Sequence, residues 1–90
     1  MWKKNMTTGE AAQIIERFLE NRSLYPQEWN DFVETPQNDI KLDIYRKRCH
    51  QLDPLVNRPG EMDPTAVAEL RSMIDELRKI GTGGNPETGE

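Results

Sequence analysis

The fold of this chain is decided by residues 62–81, which read MDPTAVAELRSMIDELRKIG. Asp63 is a good N-cap, and Pro64 suits the first helical position because its fixed φ is already helical. Gly81 predicts the end of the helix, since glycine readily forms a left-handed C-cap. Between these signals, apolar side chains recur at helical spacing and predict one continuous stripe. The stripe comprises Val67, Leu70, Met73, Ile74, Leu77 and Ile80.

A first long helix is predicted from about Thr8 to Arg22. Thr7 and Glu10 have the spacing of a capping box, in which each side chain accepts a hydrogen bond from the other residue's backbone N–H. The apolar side chains that follow fall on one side of the helix and the charged ones on the other. The apolar set is Ala11, Ile14, Ile15, Phe18 and Leu19.

A short second helix is predicted from about Pro26 to Glu34, with the proline in its first turn. Three apolar side chains in this segment are spaced i, i+3 and i+4, so they share one face. With two residues that precede the helix, they predict a compact aromatic cluster that covers the core. The cluster comprises Leu24, Tyr25, Trp29, Phe32 and Val33.

A third helix is predicted from about Asp39 to Leu52, where Asp53-Pro54 is expected to end it. Its main apolar stripe contains Leu42, Tyr45, Cys49 and Leu52. Ile40 and Ile44 point well over ~100° away from the centre of that stripe, at 100° per residue. Helix 3 therefore has two apolar faces, and the second face is either sandwiched or partly exposed.

These elements predict an all-α protein, a small bundle of three longer helices and one short helix. We divide the chain into a flexible N-terminus (1–6), a helical domain (7–81) and a disordered C-terminal tail (82–90). The tail lacks large apolar side chains that would offset the entropy of ordering it. No window approaches the ~18 consecutive apolar residues of a membrane span.

The charge and the cysteine content disfavour a nucleic-acid-binding protein and a disulfide-bonded secreted protein. The net charge is −4, which disfavours binding to a phosphate backbone. The basic run Arg46-Lys47-Arg48 keeps a nucleic-acid-associated regulator as an alternative, although three consecutive helical residues spread over ~200°. A single cysteine excludes an internal disulfide, and no signal peptide is recognisable, so we expect a cytoplasmic protein.

Catalytic and metal-binding patterns are absent from the sequence. Cys49 and His50 are adjacent, hence ~100° apart on a helix, and cannot chelate one ion together. We expect Cys49 to be a core residue and His50 to be solvated. The acidic pairs Glu16/Glu20 and Asp39/Asp43 suit surface charge better than acid–base chemistry. The chain is therefore predicted not to be an enzyme and to need no cofactor.

The remaining hypothesis is a non-catalytic helical module that binds another protein or a second copy of itself. Exposed aromatic and aliphatic side chains are the usual anchors of protein interfaces. The alternative is that the same residues complete the core or form a dimer seam. The candidate protein-binding residues are Ile40, Ile44, Tyr25, Trp29 and Phe32.

The segment Leu24-Tyr25-Pro26-Gln27-Glu28-Trp29-Asn30-Asp31-Phe32, followed by Tyr45-Arg46 and Cys49, resembles small bacterial all-helical proteins of uncharacterised function. This resemblance implies no activity. The chain is also similar to colicin-type immunity proteins, acidic four-helix domains that inhibit a nuclease. It departs from them because it lacks an adjacent tyrosine pair on a short third helix and its short helix comes second. The resemblance therefore adds an immunity-like or antitoxin-like inhibitor as an alternative and assigns no residue.

Overall fold

The computed structural model describes residues 6–83, which form four helices and no strand. The all-α prediction is confirmed. The helices are α1 (Thr8–Leu19), α2 (Glu28–Glu34), α3 (Ile40–Val56) and α4 (Pro64–Gly83). α1 packs most extensively on α4, and the short α2 lies against both α1 and α3, while α3 also packs on α4.

The predicted helix starts at Thr7 and Asp63 are confirmed. Thr7 and Glu10 form the reciprocal capping box, with N···O distances of 2.9 and 3.0 Å. Asp63 Oδ1 accepts from the backbone N–H groups of Thr65 and Ala66, at 2.9 and 3.1 Å. Each cap satisfies amides that would otherwise have no intrahelical partner.

α1 ends three residues earlier than predicted, at Leu19 and not at Arg22. Asn21 adopts a left-handed conformation with φ of 58°. The Arg22 N–H then bonds back to the Arg17 carbonyl at 2.7 Å. Asparagine tolerates this conformation better than most residues, so Asn21 ends the helix where a glycine more often would.

α2 begins at Glu28, two residues after the predicted start at Pro26. The Glu28 N–H donates to the Tyr25 carbonyl at 3.1 Å, so Pro26 and Gln27 form a turn before the helix.

α3 continues through Pro54 to Val56, so the prediction that Asp53-Pro54 ends it is wrong. The additional turn buries Val56. The Asp53 backbone carbonyl accepts a hydrogen bond from the Asn57 N–H at 2.7 Å, and its side chain accepts one from Trp29. Proline loses one helical hydrogen bond here, and the burial of Val56 offsets part of that loss.

α4 also continues past its predicted end, because Gly81 is helical and the helix runs to Gly83. Glycine adopts helical and left-handed dihedrals about equally well, so it permits a stop without forcing one. The predicted disordered tail lies outside the described residues from 84 onward. Of the predicted flexible N-terminus, Met6 packs against the core and residues 1–5 lie outside the described part.

The core forms where α1, α2, α3 and α4 converge. Ala11 and Ala12 on α1 are fully buried, and small side chains let neighbouring helices approach closely. Phe18 is partly buried at the edge of this core. The larger buried side chains are Ile14, Ile15, Trp29, Phe32, Val33, Leu42, Val56, Leu70, Met73, Ile74 and Leu77.

We expect Leu70→Ala to lower the free energy of unfolding by about 2–5 kcal/mol, because Leu70 is fully buried and its removal leaves a cavity. Leu24→Ala is the matched control, since Leu24 is 73% exposed and its truncation should change stability by less than about 0.5 kcal/mol. Urea denaturation followed by circular dichroism measures both. Equal costs for the two variants would contradict the packing described here.

Candidate protein-binding surface

An apolar groove lies on the outer side of α3 beside the C-terminal half of α4. We call it the α3 groove; it has a volume of about 390 Å³ and is lined by Lys41, Ile44, Tyr45, Arg48 and Ile80. Ile44 is 54% exposed, and neighbouring Ile40 is 77% exposed. The two isoleucines are thus surface residues and do not belong to the core of the chain.

The N-terminus of α3 determines which way these isoleucines point. Asp39 caps the helix by accepting from the backbone N–H groups of Lys41 and Leu42, at 2.9 and 3.4 Å. Leu42 is fully buried in the first turn. At 100° per residue, its burial directs Ile40 and Ile44 away from the core.

Two polar contacts join α3 to α4 along the groove. The Tyr45 hydroxyl donates to Glu76 Oε1 at 2.8 Å, and Arg48 Nη2 pairs with Glu69 Oε2 at 2.6 Å. The bond to Glu76, followed by burial, raises the pKa of Tyr45, and the bond to Glu69 raises the pKa of Arg48. Both groups therefore keep their usual protonation at neutral pH.

Lys41 differs from the other polar residues of the groove. Within residues 6–83 its exposed ammonium group has no carboxylate partner. The groove thus combines exposed aliphatic side chains with an uncompensated positive charge at its rim.

The basic run does not form a continuous positive surface. Arg46 is buried, and it donates from Nε to Asp43 Oδ1 and from Nη1 to the Val33 carbonyl, both at 2.7 Å. Arg48 is paired with Glu69, while Lys47 Nζ lies 3.8 Å from Asp43. Arg46 therefore links α3 to the end of α2 and is not accessible to a nucleic acid.

Two of the five candidate protein-binding residues, Trp29 and Phe32, belong to the core, where each is 2% exposed. The Trp29 ring stacks on Phe18 with a centroid distance of 4.2 Å, and its Nε1–H donates to Asp53 Oδ1 at 2.6 Å. Because both rings are buried in the core, they make more apolar contact than they would at a surface position. Their assignment to an interface is thus corrected.

The predicted aromatic cluster is also smaller than expected. Leu24 is 73% exposed and Tyr25 is 44% exposed, and the Tyr25 hydroxyl donates to Asp31 at 3.1 Å. Both residues line a second groove of about 510 Å³, between the α1–α2 and α3–α4 connections, which we call the loop groove. Tyr25 and Ile44 therefore line different grooves.

A buried ion pair holds the α1–α2 connection in place. Glu28 is buried and accepts two hydrogen bonds from Arg17, at 3.1 and 2.6 Å, and one from the Leu24 N–H at 3.1 Å. These bonds, with the Arg17 contribution largest, lower the pKa of Glu28. This pair could not be predicted from local patterns, because its members are eleven residues apart on different helices.

The acidic pairs considered as surface charge have different roles. Glu16 pairs with Arg78, and Asp39 caps α3. Asp43 is not a solvated charge, because its carboxylate accepts from Arg46 and from the Gln37 N–H at 2.9 Å. The bond from Arg46 is the largest cause of its lowered pKa.

Cys49 is fully buried and His50 is exposed, as predicted. Burial raises the pKa of the Cys49 thiol to about 12. In residues 6–83, no three His, Cys, Asp or Glu side chains converge in a way that suits a metal ion. None of the helices in that range combines the length and apolar character needed to traverse a bilayer.

No protein-family model matches this chain, and no solved structure matches it. A chloroplastic monoterpene synthase from Cananga odorata is 32% identical over 76 residues, which cover 81% of this chain. The chain spans only 13% of the length of that synthase. This similarity does not assign the chain to a family, and the resemblance to small bacterial all-helical proteins stays a prediction.

We expect Cys49 to be inert toward an aromatic disulfide reagent in the folded protein at about pH 8, because a buried thiol with a raised pKa is not ionised. In denaturant it should react at the rate of an ordinary thiol. Cys49→Ala combined with Ser72→Cys is the control, since Ser72 is exposed on α4 and a thiol there should react at once. Rapid modification of folded wild-type protein would contradict the described burial.

Acidification should weaken the fold through Glu28. Because its pKa is lowered in the folded state, the ionised carboxylate stabilises the fold above its ordinary pKa. This contribution is lost as pH falls through the lowered value. Between about pH 5 and pH 3, we expect the free energy of unfolding to fall less steeply in Glu28→Gln than in the wild type.

Urea denaturation at stepped pH measures these slopes. Glu34→Gln, on the exposed side of the same helix, is the matched control. Identical slopes for the wild type and Glu28→Gln would show that the Arg17–Glu28 pair does not contribute to acid sensitivity.

Proposed function

We propose that this chain is a non-catalytic helical module that binds another protein through the α3 groove. The observation that carries the proposal is the exposure of Ile40 and Ile44 on a helix whose opposite side is buried. Removing apolar area from water favours association, although only the surplus over the entropic cost of binding appears as affinity, so exposed isoleucines favour a partner that covers them. Ile80 extends the same apolar surface onto α4.

The occupant that fits this groove is an acidic amphipathic helix of another protein. Its apolar face would cover Ile40, Ile44 and Ile80, in the manner of a helix laid into a hydrophobic groove. A carboxylate on the partner helix, one helical turn from its apolar contact residues, would pair with the Lys41 ammonium group. This ammonium group has no carboxylate partner within residues 6–83. Charge complementarity of this kind sets orientation and discriminates between partners.

A second copy of the chain fits this surface less well. In a twofold dimer the same patch contacts itself, so pairing around Ile40 and Ile44 would bring both Lys41 ammonium groups near one axis.

The other functional alternatives receive less support. Arg46 is buried, Arg48 is paired with Glu69, and the exposed Lys47 lies within ion-pair distance of Asp43, so the basic run offers little free positive charge to a phosphate backbone. An immunity-like inhibitor also acts by binding another protein, so this alternative is a special case of the proposed function. As part of this proposal we place the protein in the cytoplasm, where a single buried thiol stays reduced. The activity of the monoterpene synthase is not extended to a chain that spans 13% of it.

Two synthetic helical peptides test the proposal directly. They share their apolar positions, and the polar positions carry glutamate in one peptide and lysine in the other. We expect the glutamate peptide to bind the wild-type protein more tightly, measured by fluorescence anisotropy at low salt. Ile44→Asp should weaken this binding at least about tenfold, because it places an unpaired charge in an apolar contact. Lys41→Glu should reverse the preference between the peptides.

Leu24→Asp is the matched control, because it also puts a carboxylate at an exposed leucine but lies on the loop groove. It should leave peptide binding unchanged. Ile40→Asp and Ile44→Asp should each change folding stability by less than about 0.5 kcal/mol, since both positions are exposed. A loss of binding in Leu24→Asp alone would move the interface to the loop groove.

Three other results would contradict the proposal. Equal affinity for the two peptides would remove the role of Lys41. A wild-type dimer in light scattering that Ile44→Asp converts to a monomer would make a second copy the occupant. Binding of duplex DNA at low salt that Lys47→Glu abolishes would favour the nucleic-acid alternative.

A further inference from the structure

One buried polar atom stands apart from the hydrogen-bond network of the core. Gln37, in the α2–α3 connection, is 1% exposed. Its backbone N–H donates to Asp43 Oδ1 at 2.9 Å, and its side-chain Nε2 donates to the Thr35 carbonyl at 3.0 Å. Among the buried side-chain atoms of residues 6–83, only Gln37 Oε1 has no hydrogen-bond partner.

The orientation of the Gln37 amide is set by its neighbour. Exchanging Oε1 and Nε2 would turn the side-chain oxygen toward the Thr35 carbonyl oxygen, and two acceptors would then face each other. The group left without a partner is therefore an acceptor. A buried acceptor without a donor costs about 1–3 kcal/mol, which is why such atoms are rare in folded proteins.

A small cavity lies against Gln37. It has a volume of about 20 Å³, and Gln37 is one of its lining residues. Met6, Ile14 and Phe32 supply apolar walls. The other lining residues are polar: Tyr25, Glu28, Asp31 and Thr35. A cavity of this kind must offer roughly 10–15 Å³ and two to four polar partners to hold one water molecule. The volume meets the first condition, and the polar residues that line the cavity supply candidates for the second.

We propose that this cavity binds a single ordered water molecule that donates one hydrogen bond to Gln37 Oε1. Its second hydrogen bond goes to a polar side chain from Tyr25, Asp31 or Thr35. The water joins Gln37, in the α2–α3 connection, to one of these neighbouring polar groups. This site is independent of the α3 groove and goes beyond the proposed protein-binding function.

Water–protein Overhauser spectroscopy of the full chain tests this site. The buffer should contain no ammonium, because an ammonium ion is similar in size to water and could also donate a hydrogen bond to Gln37 Oε1. We expect a cross-peak between water and the Ile14 methyl protons, with the sign that indicates a water molecule of long residence time. A high-resolution crystal structure should show a density peak about 2.7–3.0 Å from Gln37 Oε1. These measurements use the wild type, so they do not depend on whether a variant folds.

Gln37→Met removes the acceptor while keeping the length of the side chain, and we expect it to abolish the Ile14 cross-peak. Gln13→Met is the matched control, because Gln13 is exposed on α1 and its replacement should leave the cross-peak intact. The proposal is overturned if the wild type shows neither the cross-peak nor the density peak. It is also overturned if Gln37→Met retains the cross-peak, or if a protein donor is found on Gln37 Oε1.

Discussion

The structure depends on the contact between α1 and α4, the most extensive helix pair in the molecule. Leu70 and Leu77 are fully buried on α4, and Ala11 and Ala12 on α1 present little bulk at the junction. Because a chain of 90 residues buries a limited share of its surface, the largest helix contact contributes much of the burial that stabilises the fold. α2 and α3 then complete a core that α1 and α4 have already defined.

The helices themselves were predictable, because their signals are local. The capping residues Thr7 and Asp63 act on amides within three positions, and the apolar period of α4 lies within one segment. The helix ends were less predictable. α3 continues through Pro54 and buries Val56 in the core. This burial depends on tertiary packing, so local sequence patterns could not predict it.

The candidate surface was predictable in part for the same reason. Periodicity indicated that Ile40 and Ile44 leave the main stripe of α3, but only the tertiary packing shows that none of the four helices within residues 6–83 covers them. Trp29 was harder to assign, since an aromatic face serves a core and an interface equally well. The buried roles of Glu28 and Arg46 could not be predicted, because their partners are 11 and 13 residues away along the chain.

The two sides of α3 contribute unequally to folding. Leu42 and Cys49 on one side are fixed by the core, whereas Ile40 and Lys41 on the other contact little of the chain's own interior. Exposed substitutions of this kind change stability only slightly. The outer side of α3 can therefore vary in sequence while the scaffold persists.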